Sequence, residues 1–159
     1  KARHAAQLFD LIESLDRVSL IDELEKAAMR ENRQLAVLLQ VNIAREPQKA
    51  GCAPEDAAAL MRRLASSPHL TPRGLMTIAP LVDDPEEARP VFRELRELRD
   101  RLQAAHRDQS LPVLSMGMTA DLEAAIVEGA TIVRVGTAIF GARTSAGPAR
   151  GGLRDAALR

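Results

Sequence analysis

Two periods of hydrophobicity take turns along the chain. Short aliphatic runs are separated by longer stretches in which leucine and alanine recur every three or four positions. The opening residues, Lys1 to Phe9, start inside a helical pattern, and Leu11 to Leu15 reads as a short strand. Ser19 to Arg33 follows as a helix with Leu20, Leu24, Ala27 and Ala28 in one stripe, and Ser19 and Asp22 stand at capping-box spacing. Leu35 to Ile43 is a continuous apolar run, the signature of a parallel strand covered on both faces. After the loop Ala44 to Ala53, a helix is predicted from Pro54 to Ser67, with Glu55 and Asp56 in the first turn, where the helix dipole favours acids. Arg73 to Ile78 is the next strand. Asp83 to His106 is a long helix carrying Val91, Leu95, Leu98 and Leu102 on one side; Pro90 is tolerable in its first turns, and Asp83 and Asp84 are cap and dipole partners. Leu111 to Met118 is a strand, Thr119 to Ala130 a helix opened by Thr119 and closed by Gly129, and Thr131 to Gly136 a last strand.

Strand and helix thus alternate about five times with short connections, which requires a parallel sheet with crossover helices. Both a doubly wound open sheet and a (β/α)8 TIM-type barrel satisfy that pattern. Two features favour the barrel. No GxGxxG follows the first strand, and polar positions gather just after the carboxyl ends of strands, at Asp16, Asn42, Thr77, Ser115 and Gly136. A whole barrel takes about 250 residues at roughly 30 per unit, so the expected α/β fold is an incomplete barrel of about five βα units. Residues 1–143 form its domain, and the Gly-, Ala- and Arg-rich residues 144–159 are expected to be a flexible tail.

Composition narrows the function classes. Apolar residues make up 46% of the 159, enough for a core, while 22 basic and 22 acidic residues cancel. Without a basic stripe or interleaved aromatics a nucleic-acid partner has no support, and no apolar run approaches membrane-span length. A small-molecule partner, a cytoplasmic location and a monomer or weak homodimer are expected. The single cysteine, Cys52, excludes an internal disulfide and reads as a small loop-side hydrophobe. His4, His69 and His106 lack ligand spacing, so no metal site is expected.

The chemistry concentrates near the carboxyl end. In VRVGTAIFG, Val133 to Gly141, an arginine interrupts a β-branched run that then breaks into glycine and threonine. Gly136 would let backbone approach an anion, Thr137 offers a hydroxyl and an amide at a helix start, and Ser115 adds a second hydroxyl from the neighbouring loop. Arg134 would be costly in a strand without an anionic or polar partner.

Four segments in order, SLDRVSLIDELEKAA, VLLQVNIAREPQKAG, RGLMTIAP and LSMGMTADLEAAIVEGATIVRVGTAIFGAR, resemble the pyridoxal phosphate homeostasis protein family, also described as proline synthetase co-transcribed homologues. The resemblance runs from Lys1 to Arg143. It implies a barrel similar to that of bacterial alanine racemases without their β-rich second domain, and a non-catalytic carrier or buffer of pyridoxal 5′-phosphate in vitamin B6 balance. It also implies that Ser115, Gly136 and Thr137, with the backbone around Gly117 and Met118, hold the cofactor phosphate. By the same resemblance Arg134 stands near the pyridine nitrogen, keeping it unprotonated, and Asn42 and Met76 line the pocket. No catalytic residue is implied.

The family's imine-forming lysine lies on a strand preceding Lys1. Of Lys1, Lys26 and Lys49, only Lys49 sits on the pocket face as a possible secondary imine former, and Lys26 reads as solvated surface. The alternative is an amino-acid racemase of the alanine racemase type; such an enzyme uses a tyrosine from its second domain, and this chain contains none. A third reading is a piece that has lost both roles.

Overall fold

The computed structural model describes residues 2–106 and 109–141; the expected tail, residues 144–159, lies outside the described residues. The elements, in order, are α1 (Ala2–Leu8), β1 (Leu11–Leu15), α2 (Val18–Arg30), β2 (Leu35–Gln40), α3 (Ala57–Ala65), β3 (Leu70–Met76), α4 (Arg89–Ala105), β4 (Val113–Met118), α5 (Leu122–Val127), β5 (Ile132–Arg134) and α6 (Thr137–Phe140). The strands form one sheet in the order β1-β2-β3-β4-β5, every pair parallel. Sequential order throughout, with a helix between successive strands, makes this a curled half-barrel of five βα units, as the alternation predicts.

Helix faces and strand faces meet in one core. Leu35, Val37, Leu38 and Leu39 of β2 have no exposure at all, which explains why that strand reads as an unbroken apolar run. Ile21, Leu24, Ala27 and Ala28 of α2, Leu60, Met61 and Leu64 of α3, and Phe92, Leu95, Leu98 and Leu102 of α4 pack around it. The predicted α4 stripe holds at three positions, but its centre is Phe92, whereas Val91 is only partly buried.

Several boundaries move, each for a physical reason. β3 starts at Leu70 rather than Arg73 and runs through Pro72. Proline is admissible there because β4 joins β3 only from Gly74, so residues 70–72 have a neighbour on one side alone. β2 ends at Gln40, beyond which Val41 makes a single bridge to Cys52. The capping-box reading of Ser19 and Asp22 is corrected: Arg17 occupies the cap with no side-chain bond, and Asp22 accepts from Arg63 at 2.5 Å. Thr119 does not open α5 either, since Asp121 holds that cap position. Asp84 does cap the turn before α4, accepting from the Glu86 N–H at 3.0 Å.

Candidate functional site

β1, β4 and β5 converge on the concave side near the carboxyl ends of the strands. Arg134 is the last residue of β5, and its guanidinium turns inward. Nη1 donates to Ser115 Oγ at 2.6 Å and Nη2 to the Thr77 carbonyl at 2.8 Å. Ser115 Oγ in turn donates to Glu13 Oε2 at 2.7 Å, and that oxygen lies 4.0 Å from Arg134 Nη1. Because β1 and β4 are not neighbours in the sheet, the Glu13–Ser115 bond is a chord across the curl. Burial lowers the Arg134 guanidinium below its ordinary pKa, and the negative charges of Glu13 and Asp121 work against that shift.

A cavity of about 590 Å³ opens beside this network, lined by Arg134, Met118, Thr119, Gly136, Thr137 and Phe140 among others. Thr119 Oγ1 accepts from the backbone N–H of Gly136 at 3.3 Å and of Ala138 at 3.5 Å, long bonds that bring the β4–α5 corner against the start of α6. A side chain placed on Gly136 would meet nothing within 4 Å, so the backbone there faces open space that a ligand can enter. Asp121 Oδ1 accepts from the Met118 N–H at 2.6 Å and fixes that corner.

Four of the expected residues, Met118, Arg134, Gly136 and Thr137, therefore come together around one cavity. Ser115 is completely buried behind it, and its hydroxyl is engaged by Glu13 and Arg134. Gly117, at φ +90°, is explained by packing: its missing side chain would lie 2.6 Å from the Ala125 Cβ, so glycine lets α5 sit close on β4. Met76 is buried, and neither it nor Asn42 lines this cavity. Asn42 spends its side chain on the loop after β2, donating to the Glu46 carbonyl at 2.8 Å and accepting from the Glu46 N–H at 3.2 Å.

Lys49 belongs to an adjoining apolar cavity of about 250 Å³, which shares Leu81, Met118 and Ala120 with the first. Its ammonium donates to Glu46 at 2.5 Å and to the Ala79 carbonyl at 3.0 Å. Lys26 is exposed on α2. Cys52 is buried, and its thiol is pushed up to about 12 by that burial, so it is an unreactive packing group. Among the described residues no three histidine, cysteine or acidic side chains converge as a metal site.

Two participants escaped the sequence reading. Thr119 reads in the sequence as a helix cap, although its place next to SMGM is the available signal. Glu13 had no local signal at all, because its partner Ser115 is 102 positions away.

A family model described as alanine racemase, N-terminal domain, matches residues 1–144. The chain belongs to that family. It is 50% identical over 133 residues to the pyridoxal phosphate homeostasis protein of Aquifex aeolicus, covering 84% of this chain and 58% of that protein. With the protein of the same name from Haemophilus influenzae it shares 41% over 143 residues, covering 90% of this chain and 60% of the relative. PipY of Synechococcus elongatus PCC7942, solved with PLP bound, superposes at a TM-score of 0.81 with 38% identity, over 89% of this chain and 65% of PipY. The D-threonine aldolase of Filomicrobium marinum, 21% identical at a TM-score of 0.71, covers 86% of this chain and 39% of its own length, and shares the fold. The chain thus spans about 60% of the length of the curated relatives it matches. No helix among the described residues is long and apolar enough to cross a membrane.

Proposed function

We propose that this chain binds pyridoxal 5′-phosphate at the cavity between β4, β5 and α6, and serves in holding or buffering the cofactor rather than in turnover. One observation carries the reading. Arg134, Thr119, Gly136 and Thr137 surround a single cavity, and its volume of about 590 Å³ is within the usual range for a small-molecule site. Gly136 and Thr137, with the Thr119 hydroxyl, would take the phosphate, because the Gly136 backbone faces open space and the two threonine hydroxyls beside it can donate hydrogen bonds. Arg134 would face the ring nitrogen from the inner end, with Ser115 behind it. Pyridoxal phosphate, when bound, supplies an aldehyde that captures primary amines and a pyridine ring that draws electrons. A guanidinium beside the ring nitrogen disfavours protonating it, and that favours storage over electron withdrawal. The names of the relatives and the PLP-bound PipY structure support the same reading.

Calorimetric titration of the 159-residue chain with pyridoxine 5′-phosphate, which lacks the aldehyde, separates the phosphate cup from covalent capture. The ester is expected to bind, and pyridoxine without phosphate to bind at least about 100-fold more weakly, since charge-assisted bonds to the phosphate dominate. Equal affinity for the two, or binding of neither, would remove the phosphate cup. Borohydride trapping with pyridoxal phosphate tests Lys49: a label there that vanishes in Lys49→Arg would make it a secondary imine former. Repeated turnover of alanine enantiomers would instead establish the racemase alternative.

A further inference from the structure

Arg134 is already answered inside the protein before any ligand arrives. Its two terminal nitrogens are held by Ser115 and the Thr77 carbonyl, at 2.6 and 2.8 Å. The serine donates its own hydroxyl hydrogen bond to Glu13, and the same carboxylate oxygen stands 4.0 Å from the guanidinium. Arg134 and Glu13 keep only 27% and 26% exposure, so solvent screens the pair incompletely. Asp121, buried at the β4–α5 corner, is a second carboxylate whose charge reaches the guanidinium. The Arg134 cation therefore faces the Glu13 carboxylate directly.

That balance affects selectivity. A guanidinium without a counter-charge would attract a carboxylate or a second phosphate most strongly. With Glu13 in place, a second anion at the inner end meets a cation whose charge is already answered, whereas a neutral acceptor can still take a hydrogen bond. Glu13 also limits the directions available to the guanidinium, because the Ser115 hydroxyl is tied between the two.

We propose that Glu13 is a positioning residue that orients Arg134 and cancels its charge, making the inner end of the cup selective for phosphate esters bearing a neutral ring-nitrogen acceptor over esters bearing a second anionic group. The proposal rests on the cup holding a phosphate ester. Two probes test it by calorimetry: pyridoxine 5′-phosphate, and 3-carboxybenzyl phosphate, which carries a carboxylate where the first has its ring nitrogen. The unaltered chain should prefer the first by about tenfold or more. Glu13→Gln, which keeps a hydrogen-bond acceptor and deletes the charge, should narrow that preference by about tenfold, chiefly through tighter binding of the carboxylate probe. Glu13→Asp should restore most of the preference.

A residue that merely supports the fold would weaken both probes alike, and an unchanged ratio in Glu13→Gln would overturn the proposal. So would a Glu13→Asp chain that behaves like Glu13→Gln. Should Glu13→Gln not fold, the preference of the unaltered chain and its retention in Glu13→Asp decide the matter. Equal binding of both probes by the unaltered chain would defeat the role of Glu13 alone, whereas binding of neither would defeat the phosphate-ester reading and this proposal with it.

Discussion

Two glycines at the site separate binding from folding. Gly136 has φ −119° and its absent side chain points at open space, so Gly136→Ala places a methyl group in the cavity and nowhere in the protein. We expect its melting temperature to stay within about 2 °C of the unaltered chain, because no packed atom moves. Affinity for pyridoxine 5′-phosphate should fall about tenfold or more, as the anion loses close backbone approach. Gly117→Ala is the opposite case. At φ +90°, with Ala125 Cβ only 2.6 Å from the new methyl, it forces both a left-handed backbone and a clash, and should cost more than about 2 kcal/mol in urea denaturation. A Gly136→Ala chain that unfolds early but binds normally would reverse these assignments. Arg134 and Gly136 were legible in the sequence because each breaks a strand's preferences where it stands. Gly117 was named only through the family resemblance, as backbone at the phosphate, and its packing purpose was not legible, since a helix–strand approach is a distance between elements.

At the level of elements, Glu128 at the end of α5 fastens that helix to α4. It is 4% exposed and accepts from three arginines of α4: Arg89 Nε at 2.7 Å, Arg93 Nη2 at 3.2 Å and Arg96 Nη2 at 3.0 Å. The hydrogen bond from Arg89 is the largest influence holding its carboxyl below the ordinary range, against the cost of burial. Because the folded carboxyl titrates lower than an unfolded glutamate, near 4.3, its stabilisation is complete above that value and is lost as pH falls through the folded one. Glu128→Gln should therefore cost about 2 kcal/mol at pH 7 by urea denaturation, and the gap from the unaltered chain should close progressively below about pH 4. A gap that persists undiminished in acid would assign the effect to packing instead. The charged face of α4 was visible in the sequence as paired charges, yet the common target of three of them was not. Pairing along a helix is a matter of spacing, whereas Glu128 is 32 to 39 positions away.

The whole half-barrel was the most legible feature, because strands covered on both faces must be largely apolar, as β2 is from Leu35 to Leu39, and the intervening helices must carry a stripe. Its uneven solidity was less visible. β2 is buried at five of its six positions, while β5 is three residues long and α6 leaves Ile139 67% and Phe140 85% exposed. The proposed cup is thus built half from the solid β4 corner and half from the last and least buried unit. Local openings of β5 and α6 would dismantle it, while fraying of α1, none of whose residues lines the cavity, would not. Hydrogen exchange can separate the two. With pyridoxine 5′-phosphate at 100 times its dissociation constant, amides that exchange only when the cup opens should slow by up to about 100-fold, the factor by which binding depopulates the open form. That slowing should appear at Arg134 to Gly141, while the amides of Ala2 to Leu8 keep their rates. Unchanged exchange across α6, with the ester bound, would place the ligand elsewhere on the molecule. Slowing at both ends would mean instead that the half-barrel opens as a single cooperative unit despite its exposed last turn.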